Sequence, residues 1–301
     1  MRQGPSLHFQ HHHRRGITLL EVLASLAIIS VMLATLIPAV SATRGEARLS
    51  QCLSNLKMIA ATAGMYSTDN ASSPIGGRPT QPWHLGFDTP WGSVSLISEF
   101  VYGGFKATAV DSDYPEDADF NRIPVEGRPF NKYIAPGITG KATLRQYICP
   151  ADGWNVTQIV SEPGWPPLVD TTYSAWEVLG NSYAINWYWV EGSPGGSWIY
   201  GDIDDMHGYG SAMLSQKVGA AASKFVLFME NAMNAYAHDA QPPEGSQSSY
   251  GYLGMGWHGR HSTYSMAMWD GHVEYRFIDT RYTSDYGYEL WPEPATLWPP
   301  S

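Results

Sequence analysis

Four groups of residues have types and spacings that could do chemistry. Glu21 is the sole charge in the 24 residues from Ile17 to Val40, and a carboxylate inside an apolar run is a functional feature whose partner has to be found. Cys52 and Cys149 are the two cysteines of the chain; an even count permits one disulfide in an exported protein, and two buried thiols otherwise. Asp117, Asp119 and Asn121 offer oxygen ligands at alternate positions within an acidic stretch that also holds Asp111, Asp113 and Glu116. They could bind calcium, a hard cation, but the stretch lacks the Gly and closing Glu of an EF-hand loop, and a solvated acidic loop explains it as well. Asp202, Asp204 and Asp205 read the same way. His258, His261, Asp270 and His272 suggest a zinc or iron hydrolase. Metal ligands must converge, however, and a strand of about six residues, roughly 20 Å, separates His261 from Asp270 and His272. Turn chemistry for Asp270-Gly271 and a packing or hydrogen-bonding role for His261 are therefore favoured. No Gly-x-Ser-x-Gly, His-Glu-x-x-His, phosphate-cradling Gly-rich loop or dinucleotide fingerprint occurs, so no catalytic group can be assigned and a non-enzymatic role is expected.

These residues must be held by a small set of elements. As a helix, Ile17 to Val40 would span about 36 Å at 1.5 Å per residue, against a hydrocarbon core of about 30 Å. Helical periodicity continues beyond Val40, where Leu49, Cys52, Leu53, Leu56, Ala60 and Ala63 form one apolar stripe. The turn formers from Ser67 to Pro74 should end the helix near Tyr66 to Asn70. Pro38 should bend it, and Gly45 and Gly64 weaken it by about 1 kcal/mol each relative to Ala. Residues 74 to 140 are broken by Pro and Gly and read as loops and short elements. Strands are expected at Tyr183 to Val190 and at Lys224 to Met229. A hairpin should join Tyr264–Trp269 to His272–Ile278 through a two-residue type I′ turn at Asp270-Gly271. That register sets Met268 opposite Val273, Met266 opposite Tyr275 and Tyr264 opposite Phe277, gathering those six on one apolar face.

The segment Arg14-Arg15-Gly16-Ile17-Thr18-Leu19-Leu20-Glu21, with Pro38 beyond it, resembles the start of type IV prepilins and type II secretion pseudopilins. In that family a basic leader ends in Gly, a prepilin peptidase cuts after it, and the new first residue is methylated. Numbered from Ile17, Glu21 is the fifth residue and Pro38 the twenty-second, as in many family members; Ile17 replaces the usual Phe. A narrower resemblance is to pseudopilin-like proteins that end in a signature of His, nine residues, then Asp-Gly. Here eight residues separate His261 from Asp270-Gly271, while Cys149-Pro150-Ala151-Asp152 and Ser182-Tyr183-Ala184-Ile185-Asn186 match the segments that usually precede the signature. Two other readings compete. An ordinary secretory signal could be cut before Thr43, although Glu21 and the length of the run argue against it. A plain membrane anchor accounts for the length but leaves Gly16, Glu21 and Pro38 unexplained.

Composition narrows the partners. With 44% hydrophobic and 15% charged residues the chain can build a core. Its 12 Trp, 18 Tyr and 30 Gly suit a β-rich, loop-rich body. Removing residues 1–16, with Arg2, Arg14 and Arg15, leaves 15 basic against 28 acidic residues, so nucleic acid is excluded as a partner and attachment to lipid must come from the apolar helix. The expected architecture is α+β and pilin-like. It comprises a cleaved leader (1–16), a transmembrane half-helix (17–40), an exported amphipathic half (41–69) and a β-rich domain (70–301). The resemblance implies an inner-membrane protein with its C-terminal domain in the periplasm, which assembles with other pseudopilin subunits and uses no cofactor. In such an assembly Glu21 would neutralise the amine of a neighbour's Ile17. The alternatives in other functional classes are a membrane-tethered polysaccharide-binding protein, with sugars stacked on Trp and Tyr, and a metal-dependent hydrolase using the C-terminal His/Asp cluster.

Overall fold

The computed structural model describes residues 17–70, 88–89, 92–93, 99–107, 118–140, 142–152, 173–186, 222–238, 255–280, 284–285 and 287–290. Gly16, the acidic residues from Asp111 to Asp117, and Asp202, Asp204 and Asp205 lie outside them. The chain divides into two compact units, residues 1–46 and 47–301. Helix α1 (Leu19–Asn70) contributes residues to both and contains Pro38.

In the first unit every described residue is exposed. The helix there is apolar all round, the pattern of a segment whose solvent is lipid. Its few hydroxyls turn inward: Ser25 donates to the Glu21 carbonyl at 2.8 Å, Ser30 to Leu26 at 2.8 Å and Thr43 to Ala39 at 2.9 Å. Each therefore has a hydrogen-bond partner that requires no water.

In the second unit the remainder of α1 buries Cys52, Leu56 and Ile59 completely. Their spacing of four and three puts them on one face. The core is completed by a four-stranded antiparallel sheet of β3 (Tyr183–Ile185), β4 (Val226–Glu230), β5 (Thr263–Met268) and β6 (Val273–Phe277), in the order β3-β4-β5-β6. β4 is interior and buried along its whole length, which accounts for the unbroken apolar run from Phe225 to Met229. Around the sheet lie β1 (Asp88–Thr89), β2 (Gly92–Ser93), α2 (Asp119–Arg122), α3 (Asn131–Ile134), α4 (Ala175–Leu179), α5 (Asn231–His238), β7 (Ser284–Asp285) and β8 (Tyr288–Glu289). Among the described residues between α1 and β3 the helices and strands are short, and buried carbonyls there need other donors. Arg128, 1% exposed, supplies them to Phe100, Gly103, Phe120 and Ile123. Burial lowers its pKa to about 10, opposed by the charge of Asp119.

The β5–β6 hairpin departs from the expected register by one residue. Met266 faces Glu274, Ser265 faces Tyr275 and Ala267 faces Val273. A type I′ turn needs positive φ at both central residues. Gly271 has φ +82°, but among described non-glycine residues only Ser262 has positive φ, so Asp270 does not. The chain instead closes a three-residue loop: Gly271 N–H donates to the Met268 carbonyl and Met268 N–H to the His272 carbonyl, both at 2.9 Å. A one-residue slip moves every side chain of β6 to the other face. Val273, Tyr275 and Phe277 are thus not the partners of Met268, Met266 and Tyr264, and Phe277 is 58% exposed.

Candidate functional site

The N-terminal site begins with Thr18, whose backbone carbonyl accepts from Val22 N–H at 3.2 Å. Thr18 donates to Glu21 Oε2 from its backbone N–H at 2.8 Å and from its hydroxyl at 3.0 Å, and Glu21 N–H donates back to Thr18 Oγ1 at 3.3 Å. This reciprocal pair is a capping box, which satisfies amides that the first turn leaves without partners. The signal that marks it in the sequence is the spacing Thr18-x-x-Glu21 ahead of an apolar run. In this structure the carboxylate has a local partner in its own helix.

The second site is the polar seam of the second, outer unit, residues 47–301, built from the segments around residues 52–57, 147–152, 182–186 and 258–272. Cys52 and Cys149 form a disulfide. One turn along the helix, the Asn55 side-chain amide donates to the Ile148 carbonyl at 2.9 Å and to the Tyr183 hydroxyl at 3.3 Å. Asp152 is buried and accepts from the Ser182 hydroxyl at 2.6 Å and from the N–H groups of Ala175 and Trp176 at 3.1 and 3.2 Å. Burial raises its pKa to about 6 against those three bonds. Asn186 donates to the carbonyls of Val226 and Leu290 at 2.8 and 2.7 Å. The Cys-Pro-x-Asp and Ser-Tyr-x-x-Asn segments therefore bond to each other and to α1, β4 and Leu290. Such donors and acceptors organise packing between these segments.

The C-terminal histidines occupy different environments. His261 is exposed, its Nδ1 3.2 Å from Ser262 Oγ. His272 lies between two carboxylates, Asp270 Oδ1 at 2.6 Å and Glu274 Oε1 at 3.2 Å. His258 Nε2 sits 3.7 Å from Cys149 Sγ, and burial, with the nearby Arg48 charge, lowers its pKa to about 4. Among the described residues the group with metal-ligand spacing is Cys52, Cys149 and His258; it contains none of His261, Asp270 and His272. Asp119, proposed for calcium, is fully buried and bonds the Phe120 N–H at 2.6 Å. Sequence reasoning had no signal for Glu230, which is fully buried and accepts from Trp257 and Ser265 N–H groups, both at 3.2 Å. Burial pushes its pKa up to about 8. A cavity of about 420 Å³ is lined by Ala60, Gly64, Tyr66, Phe130 and Trp269 among others. At its rim Lys57 Nζ donates to the Gly271 carbonyl at 2.6 Å.

The family described as "Prokaryotic N-terminal methylation motif" matches residues 11–37, the stretch that contains Gly16, Ile17 and Glu21 and leads into α1. The chain is prepilin-like. Its match to type II secretion system core protein G of Pseudomonas aeruginosa is 25% identical over 146 residues, 48% of this chain and 88% of that protein. The pseudopilin-like character thus rests on both the N-terminal motif and a longer alignment, and about half of the chain lies outside the latter. No solved structure matches.

Proposed function

We propose that this pseudopilin-like chain is a structural subunit of a type II secretion or type IV pilus-like filament. The observation that carries the reading is the methylation motif over residues 11–37, which leads into one helix long and apolar enough to cross a bilayer. A prepilin peptidase would cut between Gly16 and Ile17. The apolar half of α1 would hold the subunit in the inner membrane, with the disulfide-bonded unit in the periplasm, until other subunits replace lipid around the helix. The role is non-enzymatic. The likeness to a type II secretion system core protein and the N-terminal methylation motif support that view.

N-terminal peptide mass analysis of membrane-derived protein tests the processing. A chain beginning at methylated Ile17 is expected, and one beginning at Thr43 would establish ordinary signal cleavage. Glu21 is assigned to assembly, where the amine of a neighbouring Ile17 is the cation available at the same depth. Glu21→Ala should insert and leave the outer unit folded, yet fail to enter filaments at the wild-type ratio. Normal incorporation would return the chain to a tethered, non-polymerising role.

A further inference from the structure

The disulfide has a third donor beside it. Cys52 Sγ, Cys149 Sγ and a ring nitrogen of His258 all lie within 4.8 Å of one another. The three residues come from α1, from the loop after the short helical turn Arg145–Tyr147 and from the turn before β5, so only the folded outer unit assembles them. Both cysteines are essentially buried and His258 is partly buried. The imidazole packs edge-on to Tyr275, ring centroids 5.6 Å apart, and Nε2 is the nitrogen facing the sulfur. Two thiolates and an imidazole are a zinc donor set: Zn²⁺ takes Cys sulfur at about 2.3 Å and His nitrogen at about 2.0 Å, and its fourth position is filled by water where the protein supplies three ligands. Neighbouring ligand atoms at those bond lengths stand roughly 3.5–3.8 Å apart in a tetrahedron; His258 Nε2 and Cys149 Sγ, 3.7 Å apart, already have that spacing, whereas the two sulfurs, bonded to each other, would have to part.

A bonded pair of sulfurs is a poor ligand. Reduction changes this: an external dithiol donates two electrons and two protons, becomes a disulfide itself, and leaves Cys52 and Cys149 as thiols. Binding Zn²⁺ then releases both thiol protons, and two thiolates neutralise the ion. The complex carries no net charge, which suits a half-buried position near the Arg48 cation. We propose that the reduced chain binds one Zn²⁺ at Cys52, Cys149 and His258, and that metal and disulfide are mutually exclusive ways of closing the same clip. Exchange with an external disulfide, which takes up two electrons from the pair and two protons from solvent and leaves as a dithiol, would re-form the bond and expel the ion; loss of the bond would admit it. This inference is independent of the filament reading, because it concerns the outer unit and needs no neighbouring subunit.

The test uses the full chain in detergent micelles. It is reduced anaerobically with a phosphine, freed of excess reagent and titrated with Zn²⁺, and in parallel with Co²⁺ as a spectroscopic probe. One equivalent of Zn²⁺ should remain bound after gel filtration. Co²⁺ should produce a thiolate-to-metal charge-transfer band with visible bands of tetrahedral intensity, and the oxidised chain should show neither. His258→Gln retains both cysteines, so its oxidised form checks folding by circular dichroism. Its reduced form should bind at least an order of magnitude more weakly and lose the tetrahedral spectrum. Absence of a charge-transfer band in the reduced wild type would overturn the proposal. So would His258→Gln binding as tightly as wild type, which would indicate two thiolates acting without the imidazole.

Discussion

The two parts of α1 have the same backbone and opposite surfaces. Before Ala47 the helix exposes every described residue, Leu33 among them at 50%. After it, Cys52, Leu56 and Ile59 are inaccessible. Apolar composition alone therefore does not say where a helix is buried. The first part offers apolar side chains in all directions and needs a surrounding solvent of the same kind; the second offers one stripe and finds its partner in its own chain.

Paired substitutions break this contrast most directly. Leu56→Ala should destabilise the outer unit by about 2–5 kcal/mol, since it opens a cavity in a packed core. Leu33→Ala should change the same unfolding transition by less than about 0.5 kcal/mol. Thermal or denaturant unfolding followed by near-ultraviolet circular dichroism reads both, and equal effects would abolish the distinction.

A pH titration sharpens it. Glu230 has a folded pKa of about 8 against an ordinary 4.5, because burial outweighs the amides of Ser265 and Trp257. The folded state therefore holds the proton more tightly than the unfolded one, and its stabilising contribution, full below about 4.5, is lost as pH rises toward 8. Asp152 adds a loss between 3.8 and about 6, and His258 a gain between about 4 and 6.5. Of these three only Glu230 still titrates between 6.5 and 8, so the outer unit should lose stability there and Glu230→Gln should flatten the slope. A wild-type midpoint that stays constant over that window would contradict the assignment.

The smallest expected effect tests the hairpin. Gly271→Ala meets no atom within 4 Å, so its cost is that of φ +82° alone, about 1–2 kcal/mol. Asp270→Gly should be modestly destabilising, since Asp270 does not need the left-handed region and its carboxylate accepts from His272 N–H at 3.0 Å and lies 2.6 Å from His272 Nδ1. A type I′ turn would instead favour glycine at both positions, and a stabilised Asp270→Gly would restore that register.

What was legible follows the same physical line. A helix repeats its pattern over many residues, so the stripe from Leu49 to Ala63 and the end near Asn70 could be read with some redundancy. The hairpin turns on a single dihedral at Asp270, and alternation in Val273-Glu274-Tyr275-Arg276-Phe277 accommodates either register until the turn is known. Arg128 and Glu230 gave no signal because their partners are mostly backbone groups, which every sequence has in equal measure, and Asp152 was marked only by the resemblance of its Cys-Pro-x-Asp segment. In the sequence His258 stands near His261, Asp270 and His272. Its neighbour is Cys149, 109 residues away, and no local spacing marks it.

The disulfide also has a mechanical meaning. Cys52 and Cys149 are separated by 97 positions in the chain, and a covalent link between them takes the residues in between out of any line of tension drawn from one terminus to the other. A pull transmitted along α1 from its N-terminal end would pass through Cys52 into Cys149 and on toward the sheet. The chain that holds Leu56, Ile59, Asn55 and the Arg128 network, all lying between the two cysteines, would be bypassed by the covalent path of that load while the bond is intact.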